Sequence, residues 1–297
     1  MSDQRIVFGG LTIGRAQREA AKQFKRSKSS MLDARILMKT VLGVDDAYLI
    51  VHENRILTID EAASFDALVQ RRLSSEPIAH IVGEREFWGL PIKVDPGVLV
   101  PRADSETLIS VAVSLRGKEG PYRILDLGTG SGCLLCAMLS SFPNASGVAV
   151  DQNEDAARLA RKNLMALGFE GRATVFVGKW MTALSGEFDI VISNPPYIPF
   201  GDAGQLSDEV AHFEDPQALF AEENGMADYK EIFDGVERLL APNGLVIAEI
   251  GDGQAQSLEL IARDAIQESC IGIENDLNGR PRAIFLDSGA RKPKEKD

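Results

Sequence analysis

The chain has 297 residues, 44% of them hydrophobic, a formal net charge of −12 and three cysteines. That apolar content suffices for one large domain with a smaller companion, while the acidity argues against a grip on nucleic-acid phosphates. The thiols are too few for a disulfide framework, and no run of ~18 apolar residues or signal-like segment points to a membrane, so a soluble cytoplasmic protein is expected.

Residues 1–85 read as helices. Ser30 with Asp33 resembles a capping box, and Ala34, Leu37, Met38, Val41 and Leu42 follow at helical spacing until Gly43 ends the segment. Thr58 with Glu61 opens a second helix that puts Ala62, Phe65, Val69 and Leu73 on one face. Residues 16–24 form a third candidate. The basic residues from Arg15 to Lys28, like those from Arg291 to Lys296, read as solvated surface. Residues 86–104 differ: apolar residues flank Asp95-Pro96-Gly97, a turn signal, which predicts a β-hairpin linking two domains. Phe87 and Trp88, adjacent on a strand, would point to opposite faces.

From Ser105 strands alternate with helices, at 123–126, 146–150, 173–177, 188–193, 245–249, 271–274 and 283–286. This is the pattern of an α/β, doubly wound, seven-stranded and mainly parallel sheet, expected over residues 105–288. The last two strands are too close in sequence for a crossover, so one should run antiparallel. Residues 289–297 read as a charged tail.

The first strand runs into Asp126-Leu127-Gly128-Thr129-Gly130-Ser131-Gly132 and then an apolar helix. Such glycines let a ligand approach the backbone at a helix N-terminus. The dinucleotide fingerprint would need a third glycine where Cys133 stands, which disfavours a nicotinamide oxidoreductase. Gly-x-Gly-x-Gly after an acidic residue is instead typical of S-adenosylmethionine sites. Cys133 and Cys136 share a Cys-x-x-Cys spacing but lie in an apolar run without a second Cys/His pair, so helix core is favoured over redox or zinc chemistry, and no metal site is expected. Asp151 ends the second strand, where a carboxylate would accept ribose hydroxyls; it could also cap the helix starting near Asn153. Trp180, after the third strand, stands where an adenine ring would stack in a class I methyltransferase sheet. Lys179 is a departure, since many related enzymes carry an acidic residue there.

The fourth strand ends abruptly in Asn194-Pro195-Pro196-Tyr197. Consecutive prolines stiffen the backbone at the sheet edge where ligands bind. The Asn194 side-chain oxygen and the Pro195 carbonyl could each accept one N–H of a planar –NH2 group. That would align its lone pair with a methyl donor held by the glycine loop, with Tyr197 packed on the substrate plane. No strong base is required, and His52, His80 and His212 fall away from this motif.

Residues 126–132 with 194–197 resemble the class I N-methyltransferases. Glu86-Phe87-Trp88-Gly89, Val100-Pro101-Arg102 with Glu106, Phe213-Glu214-Asp215-Pro216, Glu249-Ile250-Gly251 with Gln254, and Asp276-Leu277 with Gly279-Arg280 and Arg282 are similar to the HemK/PrmC family. The resemblance covers nearly the whole chain. It implies S-adenosylmethionine-dependent methylation of the glutamine side-chain amide in the Gly-Gly-Gln motif of peptide chain release factors, with residues 1–85 as a docking domain. It also implies donor binding by Asp126, Gly128, Thr129, Gly130, Ser131, Gly132, Asp151, Trp180 and Asn194. Substrate would meet Asn194, Pro195, Pro196 and Tyr197, with Asn194, Pro195 and Tyr197 catalytic. Ala103 and Ser105 replace the usual Pro and Thr. The alternatives are a glutamine methyltransferase acting on a large-subunit ribosomal protein, a DNA or RNA adenine methyltransferase, and a binding-only protein.

Overall fold

The computed structural model describes residues 8–266 and 269–289, and the chain divides after Gly83 into two compact units. The first seven residues and all of the charged tail except Gly289 lie outside the described part. The first unit is helical: α1 (Ile13–Gln23), α2 (Ser30–Leu42), α3 (Asp46–Val51), α4 (Ile59–Leu73) and α5 (Ile78–Val82). Ile13, Leu37, Met38, Phe65 and Val69 are buried at its centre. The capping box of α4 is complete, with Glu61 N–H donating to Thr58 Oγ1 at 3.2 Å and Thr58 N–H to Glu61 Oε2 at 2.8 Å. Gly43, at φ 63°, closes α2 in the left-handed conformation.

Two expectations shift in this unit. Ser29, not Ser30, precedes α2, and its hydroxyl donates to the Asp33 carboxylate at 2.9 Å instead of capping the backbone. Asp33 also receives the Arg72 guanidinium at 2.9 Å, with both side chains buried. A buried carboxylate needs a counter-charge. Arg72 therefore takes the inward position after Val69, and Leu73 is left 40% exposed.

The second unit opens with a hairpin of β1 (Glu84–Phe87) and β2 (Leu90–Lys93), but its turn is Trp88-Gly89. Both turn residues have positive φ, 54° and 73°, as the tight mirror-image turn of a two-residue hairpin demands. Trp88 is held there by its N–H to Glu106 Oε1 and its indole N–H to Ser141 Oγ, each at 2.9 Å. Asp95-Pro96-Gly97 makes a separate turn further on, closed by Val98 N–H to the Asp95 carbonyl at 3.3 Å. Phe87 and Ile92 are fully buried, so the hairpin packs into the second unit.

The sheet follows with its helices: α6 (Glu106–Leu115), β3 (Arg123–Leu127), α7 (Cys133–Ser141), β4 (Ser146–Asp151), α8 (Glu154–Ala166), β5 (Ala173–Val177) and β6 (Phe188–Ser193). Beyond β6 come β7 (Ile198–Pro199), α9 (Asp208–Phe213), β8 (Phe220–Ala221), α10 (Glu222–Gly225), α11 (Ala227–Val236), β9 (Leu240–Glu249), α12 (Ala255–Ala265), β10 (Cys270–Asn275) and β11 (Pro281–Asp287). The seven-stranded order is β10-β11-β9-β6-β3-β4-β5, with β11 the antiparallel member between β10 and β9. Neighbouring residues of central strands bury on opposite faces. Ile124, Ile190 and Ile247 join the core beneath α6 and α7, whereas Leu125, Val191 and Val246 join the core beneath α11 and α12.

Candidate active site

Strand β3 lies between β4 and β6, so connections leave its two sides in opposite directions and open a crevice at the carboxyl ends. A cavity of about 340 Å³ occupies that crevice. Gly128, Thr129, Gly130 and Ser131 line it after β3, Asp151 and Asn153 after β4, Gly178, Lys179 and Trp180 after β5, and Asn194 and Pro196 after β6.

The glycine loop is built by its own backbone. Gly128 and Thr129 donate N–H to the Val150 carbonyl at 2.9 and 3.0 Å. Gly128 has φ 69°, and a Cβ there would stand 3.2 Å from the Trp180 ring, so conformation and space both favour glycine. Thr129 Oγ1 donates to Asp126 Oδ2 at 2.6 Å, and full burial pushes the Asp126 carboxyl up to about 7 against that bond. Gly132 precedes α7, and a Cβ on it would meet Ala160 of α8 at 3.0 Å.

Asp151 accepts N–H from Gly130 at 2.8 Å through one oxygen and from Asn153 at 2.9 Å through the other. It does not cap α8: Asn153 does, accepting from Asp155 and Ala156. A carboxylate offers about four lone-pair sites, so Asp151 keeps acceptor capacity. Trp180 is buried, and Lys179 gives its ammonium to Glu231 at 2.6 Å. Asp228 of α11, which the sequence reading did not single out, lines the cavity beside them, its carboxyl raised chiefly by burial.

Asn194-Pro195-Pro196-Tyr197 is anchored from several directions. Ser193 Oγ donates to the Leu127 carbonyl at 2.8 Å, joining the ends of β6 and β3. Asn194 Nδ2 donates to Ser105 Oγ at 3.2 Å, and Ser105 Oγ donates to Glu249 Oε2. Tyr197 donates its hydroxyl to Glu249 Oε1 at 3.3 Å, and its carbonyl accepts Gln254 Nε2 at 2.9 Å. Burial pushes the Glu249 carboxyl up, opposed by the Ser105 bond and by Arg282. A Cβ on Gly225 would lie 2.2 Å from the Tyr197 carbonyl oxygen, so this approach also requires glycine. Asp126, Gly132, Pro195 and Tyr197 do not line the cavity. Tyr197 in particular is drawn to Glu249 and packs against the core of the α11 side.

The segment after Tyr197 forms another wall through Phe200, Asp215, Pro216 and Phe220. It is tied down by one Arg102 guanidinium nitrogen 2.7 and 2.6 Å from the two Glu214 oxygens. Asn153 Nδ2 donates to Asp215 at 3.1 Å, which links the same segment to the loop after β4.

His52, His80 and His212 do not line the cavity. Burial pushes the Cys133 thiol up to about 12, and Cys136 is also raised by burial, so neither is a thiolate at neutral pH. Among the described residues no group of His, Cys, Asp and Glu could hold a metal ion, and no helix is long and apolar enough to cross a membrane.

Residues 15–83 match the family model described as PrmC N-terminal domain, and residues 104–212 that described as Methyltransferase small domain. A release factor glutamine methyltransferase of Bradyrhizobium diazoefficiens is 38% identical over 93% of this chain and 95% of its own length. The chain belongs to the release factor glutamine methyltransferase family. The Salmonella typhimurium member is 39% identical, over 82% of this chain and 88% of the relative. The solved catalytic domain of hMettl16, in complex with a MAT2A 3′UTR hairpin, shares the fold at a TM-score of 0.55 and 15% identity, covering 77% of this chain and 80% of that one. The class I methyltransferase fold read from the sequence is thus the one observed.

Proposed function

We propose that this chain transfers a methyl group from S-adenosylmethionine to the side-chain amide nitrogen of the glutamine in the Gly-Gly-Gln motif of peptide chain release factors. Asn194 carries the reading: it lines the same cavity as the glycine loop and Asp151. The cavity suits that donor. The loop is pared to backbone at Gly128 and Gly130, Asp151 keeps lone pairs for a ribose diol, and the Trp180 ring offers an apolar face to a base. The donor, when bound, supplies an electrophilic methyl on a sulfonium.

This chain's residues then have a positioning task. Amide nitrogen is a weak nucleophile because its lone pair is delocalised. Asn194 and Pro196 line the cavity on either side of Pro195, and accepting the amide's two N–H groups at Asn194 Oδ1 and the Pro195 carbonyl would hold the nitrogen in line with the methyl and stabilise the positive charge that develops on it. Transfer there would form the N–CH3 bond at the expense of the donor's S–CH3 bond, and the cationic amide would release its proton to water. The stiff Pro195-Pro196 backbone keeps the acceptors fixed. Tyr197 supports the motif through Glu249, and we assign release-factor docking to the helical first unit.

The test is to incubate the protein with donor and a purified release factor, then map modification by mass spectrometry. One added methyl on the Gly-Gly-Gln glutamine is expected. Modification confined to a ribosomal protein, or to DNA, would replace this reading.

A further inference from the structure

Asn194 presents a problem that its backbone does not solve. A primary amide has nearly the same shape after a half-turn about its last torsion, yet only one orientation presents an acceptor to a substrate –NH2. The neighbours break the symmetry. Glu249, the last residue of β9, is 1% exposed, and Ser105, just before α6, is 2% exposed. Ser105 has a single hydroxyl proton and gives it to Glu249 Oε2. Toward Asn194 the Ser105 oxygen can then only accept, and it does so from Nδ2 at 3.2 Å. The other amide edge, Oδ1, is thereby left for the substrate.

We propose that Ser105, oriented by Glu249, is a positioning residue that locks Asn194 with its carbonyl oxygen toward the reacting amide. Glu249 also takes the Tyr197 hydroxyl at 3.3 Å, so one carboxylate sets both ends of the Asn-Pro-Pro-Tyr motif. Burial raises the Glu249 carboxyl and nearby Arg282, whose guanidinium meets Asp104 and Asp276 at 3.5 Å, partly offsets that rise. The inference rests on the glutamine reading above, because only an acceptor-seeking substrate makes the amide orientation matter.

Ser105→Ala, Ser105→Thr and Glu249→Gln test it, with release-factor kinetics, donor calorimetry and the Asn194 side-chain amide resonances followed by NMR. Loss of preorganisation of one acceptor should lower kcat about 10- to 100-fold in Ser105→Ala. Release-factor KM and donor Kd should stay within about threefold, since ground-state contacts are untouched. Ser105→Thr restores the hydroxyl and should recover kcat. Glu249→Gln, which meets Ser105 with either a donor or an acceptor, should fall between. Wild-type kcat in Ser105→Ala, or equal loss in Ser105→Thr, would overturn the proposal. Wild-type protein that leaves release factor unmodified rejects the functional reading instead. The Asn194 resonances then decide alone: hydrogen-exchange protection lost in Ser105→Ala supports the lock, and protection unchanged by it overturns the lock.

Discussion

Asp151 and Gly130 are joined by a hydrogen bond of 2.8 Å from a glycine-loop N–H to a carboxylate at the end of the neighbouring strand. The same side chain holds the N–H of Asn153 at 2.9 Å, where α8 begins. Asp151 thus ties the glycine loop to the start of α8, and in the proposed function it would also meet the donor's ribose. Asp151→Ala should weaken donor binding about 10- to 100-fold by calorimetry, the scale of losing charge-assisted hydrogen bonds. The kcat at saturating donor should change by only a few-fold, because the acceptor clamp is elsewhere. A kcat loss matching the binding loss would move Asp151 into the chemistry.

Asp126 links the loop to pH. Burial pushes its carboxyl up to about 7, so between roughly pH 4 and pH 7 the folded protein holds a proton that the unfolded chain has released. Stability should therefore fall as pH rises through that window, by up to ~1.4 kcal/mol per unit from this group, and level off above it. Asp126→Asn keeps an acceptor for Thr129 and should flatten that part of the profile. Urea unfolding at a series of pH values reads the slope; an unchanged slope in the variant would mean that Asp126 is not its source.

The Arg102–Glu214 pair holds a cavity wall. The Glu214 side chain is 2% exposed and that of Arg102 is 39% exposed, so removing the arginine strands a buried carboxylate while water already screens part of the attraction. Arg102→Ala should cost about 1–3 kcal/mol in chemical denaturation. Adding Glu214→Gln should recover part of it, and a double variant no better than the single one would show that charge is not the cause.

Local signals made much of this legible. The glycine loop, Asp151 at a strand end and Asn194-Pro195-Pro196-Tyr197 are each contained in a few residues, and the strands they terminate follow from short apolar runs. What was missed involves partners distant in sequence or a choice between adjacent residues. Ser105 and Glu249 were each noted in the sequence, but they stand 144 positions apart and nothing local pairs them. Arg72 displaced Leu73 from the core because Asp33, on another helix, required a charge. Trp88 is not a turn-forming residue by type and occupies positive φ only because Glu106 and Ser141 hold its two N–H groups. Asp95-Pro96-Gly97 carried the stronger local turn signal and still closes no hairpin. Asn153 rather than Asp151 caps α8 because the helix begins at Glu154, so Asn153 holds the N-cap position and Asp151 lies two residues before it.

In the proposed reaction Asn194 holds the acceptor amide rather than the donor, and one paired measurement on Asn194→Ala tests this. Donor Kd by calorimetry and single-turnover methyl transfer to the release factor are taken on the same preparation. A donor Kd within about threefold of wild type and a transfer rate lower by about 10²-fold or more are expected. A transfer rate close to wild type, or a rate loss fully explained by weaker donor binding, would contradict it.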